Sequence, residues 1–165
     1  MIEKVPAQRV QYAALPYRRT GDSLIEVLLV TSRDTGRWII PKGWPLKGKS
    51  PHKSAAREAR EEAGVVGKIS RRPIGTFSYE KRLKGGNTVV CKVQVFALKV
   101  KRQHASWQEQ GERQLKWLSR ETAASTVGDR VLGTIICRLA ADQADEKPEG
   151  PRPPACRRRS LRPKH

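Results

Sequence analysis

Residues 43–65, GWPLKGKSPHKSAAREAREEAGV, run from a loop into a helix, and their reading decides the fold. The stretch Lys42 to Lys49 carries glycine and proline breakers and no periodicity, so it is expected to be a loop. Ser50 is a good N-cap, Pro51 suits the first helical position and Gly64 suits the C′ position. These signals predict a helix of about 13 residues. On a wheel of about 100° per residue, Glu58, Glu61 and Glu62 share one face, and Ala55, Ala56, Ala59 and Ala63 form the neighbouring stripe. Small side chains let such a helix sit close to a sheet. Arg57, four residues before Glu61, is placed to hold that carboxylate. Three packed acids raise one another's pKa and weaken the helix, and a divalent cation removes that penalty. Magnesium prefers oxygen ligands and keeps waters, which leaves room for substrate phosphates.

Working outward, Val10 to Tyr17 and Leu24 to Thr31 read as strands, with a turn at Arg18 to Asp22. Trp38 to Ile40 is a short apolar run stopped by Pro41. Ile69 to Tyr79 and Thr88 to Val100 read as two further strands joined through Gly85, Gly86 and Asn87. Gln114 to Leu118 reads as a short strand. Ser119 caps a short helix, Glu121 to Thr126. Asp129 caps a longer one with Leu132, Ile135, Ile136 and Leu139 at helical spacing. Strands and helices do not alternate regularly, so a mixed sheet with helices on its faces is expected rather than a doubly wound parallel sheet. Residues 1–144 are expected to form one domain. Residues 145–165 are polar, basic and rich in proline and arginine, and composition marks them as a disordered tail.

The 165-residue chain carries a formal charge of +18. Arg152, Arg157, Arg158, Arg159, Arg162 and Lys164 supply +6 in the last fifteen residues, so the first 150 are themselves basic at +12. That balance points to a polyanionic partner. Candidates are a small polyphosphorylated molecule, anionic lipid and, weakly and through the tail, nucleic acid; the alternative is that the charge only keeps the protein soluble. Cys91, Cys137 and Cys156 offer neither zinc spacing nor a disulfide framework, which suits a reducing, cytoplasmic setting. Cys91 and Cys137 lie in apolar runs and read as core residues. The first residues show no apolar h-region and no run reaches membrane-spanning length, so a soluble, intracellular chain is expected.

The 23-residue stretch resembles the Nudix signature: Gly, five residues, Glu, seven residues, then Arg-Glu-aliphatic-x-Glu-Glu-x-Gly-aliphatic. Eight of the nine specified positions match, with Ala59 taken as aliphatic, and the ninth has Lys49 where the family has Glu. Trp38 to Pro41 resembles the family's strand leading into the loop. Trp107, Arg113 and Trp117 resemble a pattern of the branch acting on diphosphoinositol polyphosphates and diadenosine polyphosphates, over about Arg18 to Leu139. The resemblance implies an α/β/α sandwich with a mixed central sheet. It implies that Glu58, Glu61, Glu62 and the backbone carbonyl of Gly43 hold Mg²⁺, with Mn²⁺ as the alternative ion. It further implies that Arg57 orients the glutamates and that Glu61 activates water. The family does not place its general base uniformly, so Glu80 and Glu109 stand as further candidates. The family's Glu at position 49 pairs with the arginine, which Lys49 cannot do. Lys49 either reaches a substrate phosphate or is a drifted surface position.

The implied reaction is attack by water on a phosphoanhydride. Arg9, Arg18, Arg19, Arg37, Lys42, Lys49 and Arg82 are the candidates for gripping the phosphates that do not react. Phe and Tyr total five and the tryptophans read as mostly structural. This favours a diphosphoinositol polyphosphate or a dinucleoside polyphosphate over a mononucleotide. Removal of pyrophosphate from RNA 5′ ends, and polyanion binding by a protein with a lost active site, are the other readings.

Overall fold

The computed structural model describes residues 8–21, 24–141 and 143–145, with the side chain of Asp145 not described. Eight strands form one sheet: β1 (Gln8–Arg19), β2 (Ile25–Thr31), β3 (Trp38–Ile39), β4 (Lys42–Gly43), β5 (Val65–Ile69), β6 (Gly75–Arg82), β7 (Thr88–Gln103) and β8 (Leu115–Ser119). Three α-helices accompany them: α1 (Pro51–Ala63), α2 (Arg120–Thr126) and α3 (Arg130–Cys137). The main strand order is β3-β2-β1-β7-β5; β4 pairs with β1, β6 with β7 and β8 with β2. Among the described residues only the β1–β7 pairing is parallel, from Gln8 opposite Val90 to Tyr17 opposite Lys99. The sheet is therefore mixed, as expected.

The apolar runs of β1, β2 and β7 follow from burial on both faces, where successive side chains enter different cores. Ala13, Leu15, Tyr17, Val27, Leu29, Val93, Val95 and Ala97 pack on one side with Ala123, Leu132, Ile136 and Leu139 from α2, α3 and the turn after α3. Ala14, Leu28, Val30, Phe96 and Leu98 pack on the other with Ala55, Ala59 and Ala63 of α1. Those alanines are 0% exposed, so the small-residue stripe does let the helix lie against the sheet. Ser119 accepts from the Thr122 N–H and Asp129 from the Leu132 N–H, as their cap positions require.

Four local expectations are corrected. Lys42–Gly43 is a short strand opposite Tyr12 and Ala13 and not the start of a loop. The strand read from Ile69 to Tyr79 begins only at Gly75, and a separate strand, β5, which that reading touched only at Ile69, precedes it. β5 and β6 pair with successive parts of the long β7, and the chain turns between them through Arg71, Arg72 and Pro73. Ser50 sits at the N-cap of α1, but its side chain makes no capping bond. Cys91 is buried, whereas Cys137 ends α3 exposed, just past the buried Ile136. The basic segment from residue 146 onward lies outside the described residues.

Candidate functional site

Two short-range features aim the acids. The β4 pairing with β1 brings Gly43 under α1, where the Glu58 carboxylate lies so close that a Cβ on Gly43 would overlap it. At the other end of the helix Gly64 closes α1 at φ 68°, and the Trp107 ring packs where a Gly64 side chain would stand. The loop carrying Trp107 is tied back by the Glu109 N–H, which donates to the Glu61 carbonyl at 3.0 Å.

The result is a cleft of about 570 Å³ lined by Gly43, Glu58, Glu61, Glu62, Lys42 and Arg113, with Trp44, Lys81 and Glu109 at its sides. Arg57 donates through Nε to Glu61 at 2.6 Å, the i,i+4 pairing expected from the sequence. Glu62, on the face it shares with Glu58 and Glu61, is buried at 5% exposure. It accepts from Arg113 at 3.3 Å, and the same guanidinium donates to Glu109 at 3.3 Å and to the Thr31 carbonyl at 3.0 Å. Arg33 holds Glu109 from outside at 3.1 Å.

Charge in the cleft is unbalanced. Burial, then Glu61 and Glu109, push Glu58 up to about 7. Burial pushes Glu62 up to about 8; Glu58 and Glu109 add to the rise, while Arg113 and Lys42 oppose it. Lys42 is pushed down by burial, with Lys81 and Arg113 adding to the effect and Glu62 opposing it. Glu62 Oε2 is buried without a partner. Among the described residues no three His, Cys, Asp or Glu side chains stand ready as a metal cage, because Glu61 is turned to Arg57 and Glu62 to Arg113. The donor set nevertheless fits a divalent ion. It offers oxygen donors only, an orphaned buried carboxylate oxygen, and a glycine whose missing side chain keeps the space beside Glu58 open.

An acid whose folded-state pKa is raised takes up a proton on folding. Its stabilising contribution is complete below the ordinary carboxylate value and is lost as pH rises through the folded-state value. The melting temperature of the metal-free protein is therefore expected to fall between about pH 4.5 and about pH 8, and saturating Mg²⁺ to flatten that slope. A metal-free melting curve independent of pH in this window would contradict the burial of these carboxylates.

The basic candidates separate by location. Lys42 lines the cleft, and its Nζ lies 4.8 Å from the Tyr79 ring centroid. Arg37 and Arg82 line an adjoining cavity of about 590 Å³ that shares Lys42 and Lys81 with the cleft. Arg9 lies 5.8 Å from the ring of Trp44. Arg18 stacks on Trp117 at 4.0 Å and pairs with Glu26, and Arg19 is exposed at the end of β1; neither lines the cleft. Glu80 is exposed on β6 and lines the adjoining cavity. Three contributors escaped the sequence reading of site roles: Arg113, Lys81 and Trp44. Arg113 lies 51 residues from Glu62. Trp44 follows Gly43 directly and is 37% exposed, flanked by Arg9 and Lys81, and so is not a core tryptophan.

Lys49 lines a different concavity, on the flank of α1 that carries Arg57. Lys49→Glu is accordingly expected to leave KM within about twofold of the starting value, since no ground-state contact to substrate is lost. A rise of about tenfold or more in KM at unchanged kcat would put Lys49 on the substrate after all.

The NUDIX domain family model matches residues 7–139. Nudix hydrolase 13, mitochondrial, of Arabidopsis thaliana is 30% identical over 131 residues, covering 67% of this chain and 63% of that protein. Diphosphoinositol polyphosphate phosphohydrolase 3-alpha of Mus musculus is 36% identical over 101 residues, 59% of this chain and 57% of that protein. The chain thus spans about half to two thirds of the length of such relatives. The crystal structure of C. elegans Ap4A hydrolase superposes with a TM-score of 0.56 at 21% identity, over 78% of this chain and 93% of that one. Among the described residues no helix is long and apolar enough to cross a membrane.

Proposed function

The chain belongs to the NUDIX domain family, and from that premise we propose that it hydrolyses a phosphoanhydride bond in a small polyphosphorylated substrate, with Mg²⁺ or alternatively Mn²⁺ as cofactor. The observation that carries this reading is the acidic centre of half-buried Glu58 and buried Glu62, both pushed up and only partly offset by Arg113, beside a cation-rimmed cleft. The Gly43 carbonyl, Glu58, Glu61 and Glu62 would hold the ion, which when bound lowers the pKa of water and neutralises phosphate oxygens. Glu61, oriented by Arg57, takes the proton of the attacking water. Glu109 is the weaker base, because Arg113 and Arg33 both occupy it. Lys42, Lys81 and Arg113 bind and orient the reacting phosphates. Arg37 and Arg82 hold those further along the chain in the adjoining cavity.

Two joined cavities with separate cations favour a substrate with phosphates at several positions, a dinucleoside polyphosphate or a diphosphoinositol polyphosphate, the classes that the names of the C. elegans and mouse relatives carry. The deciding experiment is a panel at fixed salt comprising diadenosine polyphosphates, inositol pyrophosphates, nucleoside triphosphates and triphosphorylated RNA, each with Mg²⁺ and with EDTA. Turnover of either favoured class, abolished by EDTA, is expected. Phosphate release from none of the panel would favour a polyanion-binding protein. Preference for the RNA would favour 5′ pyrophosphate removal.

We place the catalytic domain within residues 1–144, in the cytoplasm. Ala144 is buried and its N–H donates to the Tyr17 hydroxyl, so the body reaches at least that far. Deleting the segment after Ala144 is expected to leave kcat and melting temperature nearly unchanged and to weaken retention on heparin or RNA, most at low salt. Equal retention of both forms across a salt series would show that the tail has no polyanion role.

A further inference from the structure

The flank of α1 that carries Lys53, Arg57 and Arg60 walls a second concavity of about 700 Å³, separate from the catalytic cleft but sharing Glu61 and Gln108 with it. These three side chains follow the i, i+4, i+7 spacing of one helical stripe, with Ala56 as the small residue between them. Lys49 adds a fourth cation before the helix starts, and β5 closes the floor with Val66 and Gly67. At Gly67 the strand bulges, and a side chain there would meet the Lys99 carbonyl. His104 and Trp107 also line the concavity.

Three observations give this concavity a ligand chemistry. Glu61 is its only lining carboxylate, and among the four cations it pairs with Arg57 alone. Lys49, Lys53 and Arg60 have no carboxylate partner among the described residues. The first turn of α1 holds no acid, so Lys49 and Lys53 stand at the positive end of the helix dipole, an arrangement that an anion relieves. Along the helix, Lys53 and Arg60 are separated by about 10 Å at about 1.5 Å per residue, which suits an elongated anion better than a single phosphate.

We propose that this concavity is a second anion site that takes a short chain of phosphates, and that its occupant competes with Glu61 for Arg57. Binding stands on the cation stripe, the helix end and the spacing of Lys53 and Arg60. The effect on turnover rests in addition on the reading of Glu61 as the proton acceptor. When phosphate draws Arg57 outward, Glu61 loses the bond that orients it, and turnover falls.

Inorganic tripolyphosphate is the probe. Titrated calorimetrically into the metal-free full-length protein, with amide shifts followed by NMR, it is expected to perturb residues 49–60 and 104–107. Lys53→Gln/Arg60→Gln is expected to weaken this binding by about tenfold or more. The same double variant should turn over substrate normally when tripolyphosphate is absent. With Mg²⁺ in excess, tripolyphosphate is expected to lower kcat of the unsubstituted protein and to have little effect on kcat of the double variant. Shifts confined to Lys42–Trp44 and Lys81, or equal affinity for both forms, would overturn the site. Tighter binding of a single-stranded RNA through the same residues would overturn the choice of a small ligand. Unchanged kcat despite binding would overturn the competition for Arg57. A protein that binds tripolyphosphate here yet hydrolyses none of the substrate panel would refute the catalytic reading and leave the binding site standing.

Discussion

Glu62→Gln is expected to lower kcat by on the order of 10²–10⁴, the range that follows loss of a positioned charged group at a reacting centre. The substitution preserves side-chain volume and an oxygen that can still accept from Arg113. What it removes is the charge, and with it an oxygen ligand for the ion. Because burial already pushes the Glu62 carboxylate up to about 8, a neutral amide at this position does not destabilise the metal-free fold at neutral pH. Activity and melting temperature should therefore part: a large loss of turnover at saturating Mg²⁺, with a melting temperature equal to or above that of the starting protein. Near-normal turnover would remove this helix from the metal site. Glu109→Gln provides the contrast. Glu109 is held between Arg33 and Arg113, so a much smaller loss is expected there.

The elements that could be read ahead of the structure are those whose signals are local. Pro51, Gly64, Ser119 and Asp129 mark helix ends by backbone geometry or by a bond two or three residues away, and each helix lies where they put it. The Arg57–Glu61 pair is equally local. The split between β5 and β6 was hidden because both strands use the same partner, β7, and because Ile69 and Ile74 flank the turn with strand-like residues. Only Arg71, Arg72 and Pro73 interrupt the pattern. The burial of Glu62 was hidden for a different reason. A helical wheel orders side chains around an axis but carries no account of what covers them, and here the cover is Arg113 from the chain between β7 and β8. Trp44 reverses the case: its place beside Gly43 was visible, but its exposure depends on how the loop after β4 folds.

Arg113→Met is expected to destabilise the metal-free protein by about 3–5 kcal/mol at pH 10, above the value of about 8 to which Glu62 is pushed, the cost of breaking a buried ion pair from one side. The Arg113 side chain is 7% exposed, and its guanidinium serves three acceptors: Glu62, Glu109 and the Thr31 carbonyl. Without it, Glu109 keeps Arg33, but Glu62 faces Glu58 and Glu109 with only Lys42 to oppose them. Methionine preserves much of the volume of the stem, so the loss reports charge and hydrogen bonding more than a cavity. The penalty should shrink at pH 5, where Glu62 is protonated and needs no cation. In Glu62→Gln/Arg113→Met it should shrink at every pH, because the buried charge is gone; the difference between single and double variants isolates the pair. Urea denaturation at the two pH values measures all of these quantities. A loss at pH 10 within about 1 kcal/mol, the range of a solvent-exposed pair, would mean that Glu62 is not buried in the way the structure shows. The same variant separates structure from catalysis. If Arg113 also binds phosphate, Mg²⁺ restores stability to Arg113→Met by neutralising Glu62, yet KM for the substrate remains raised.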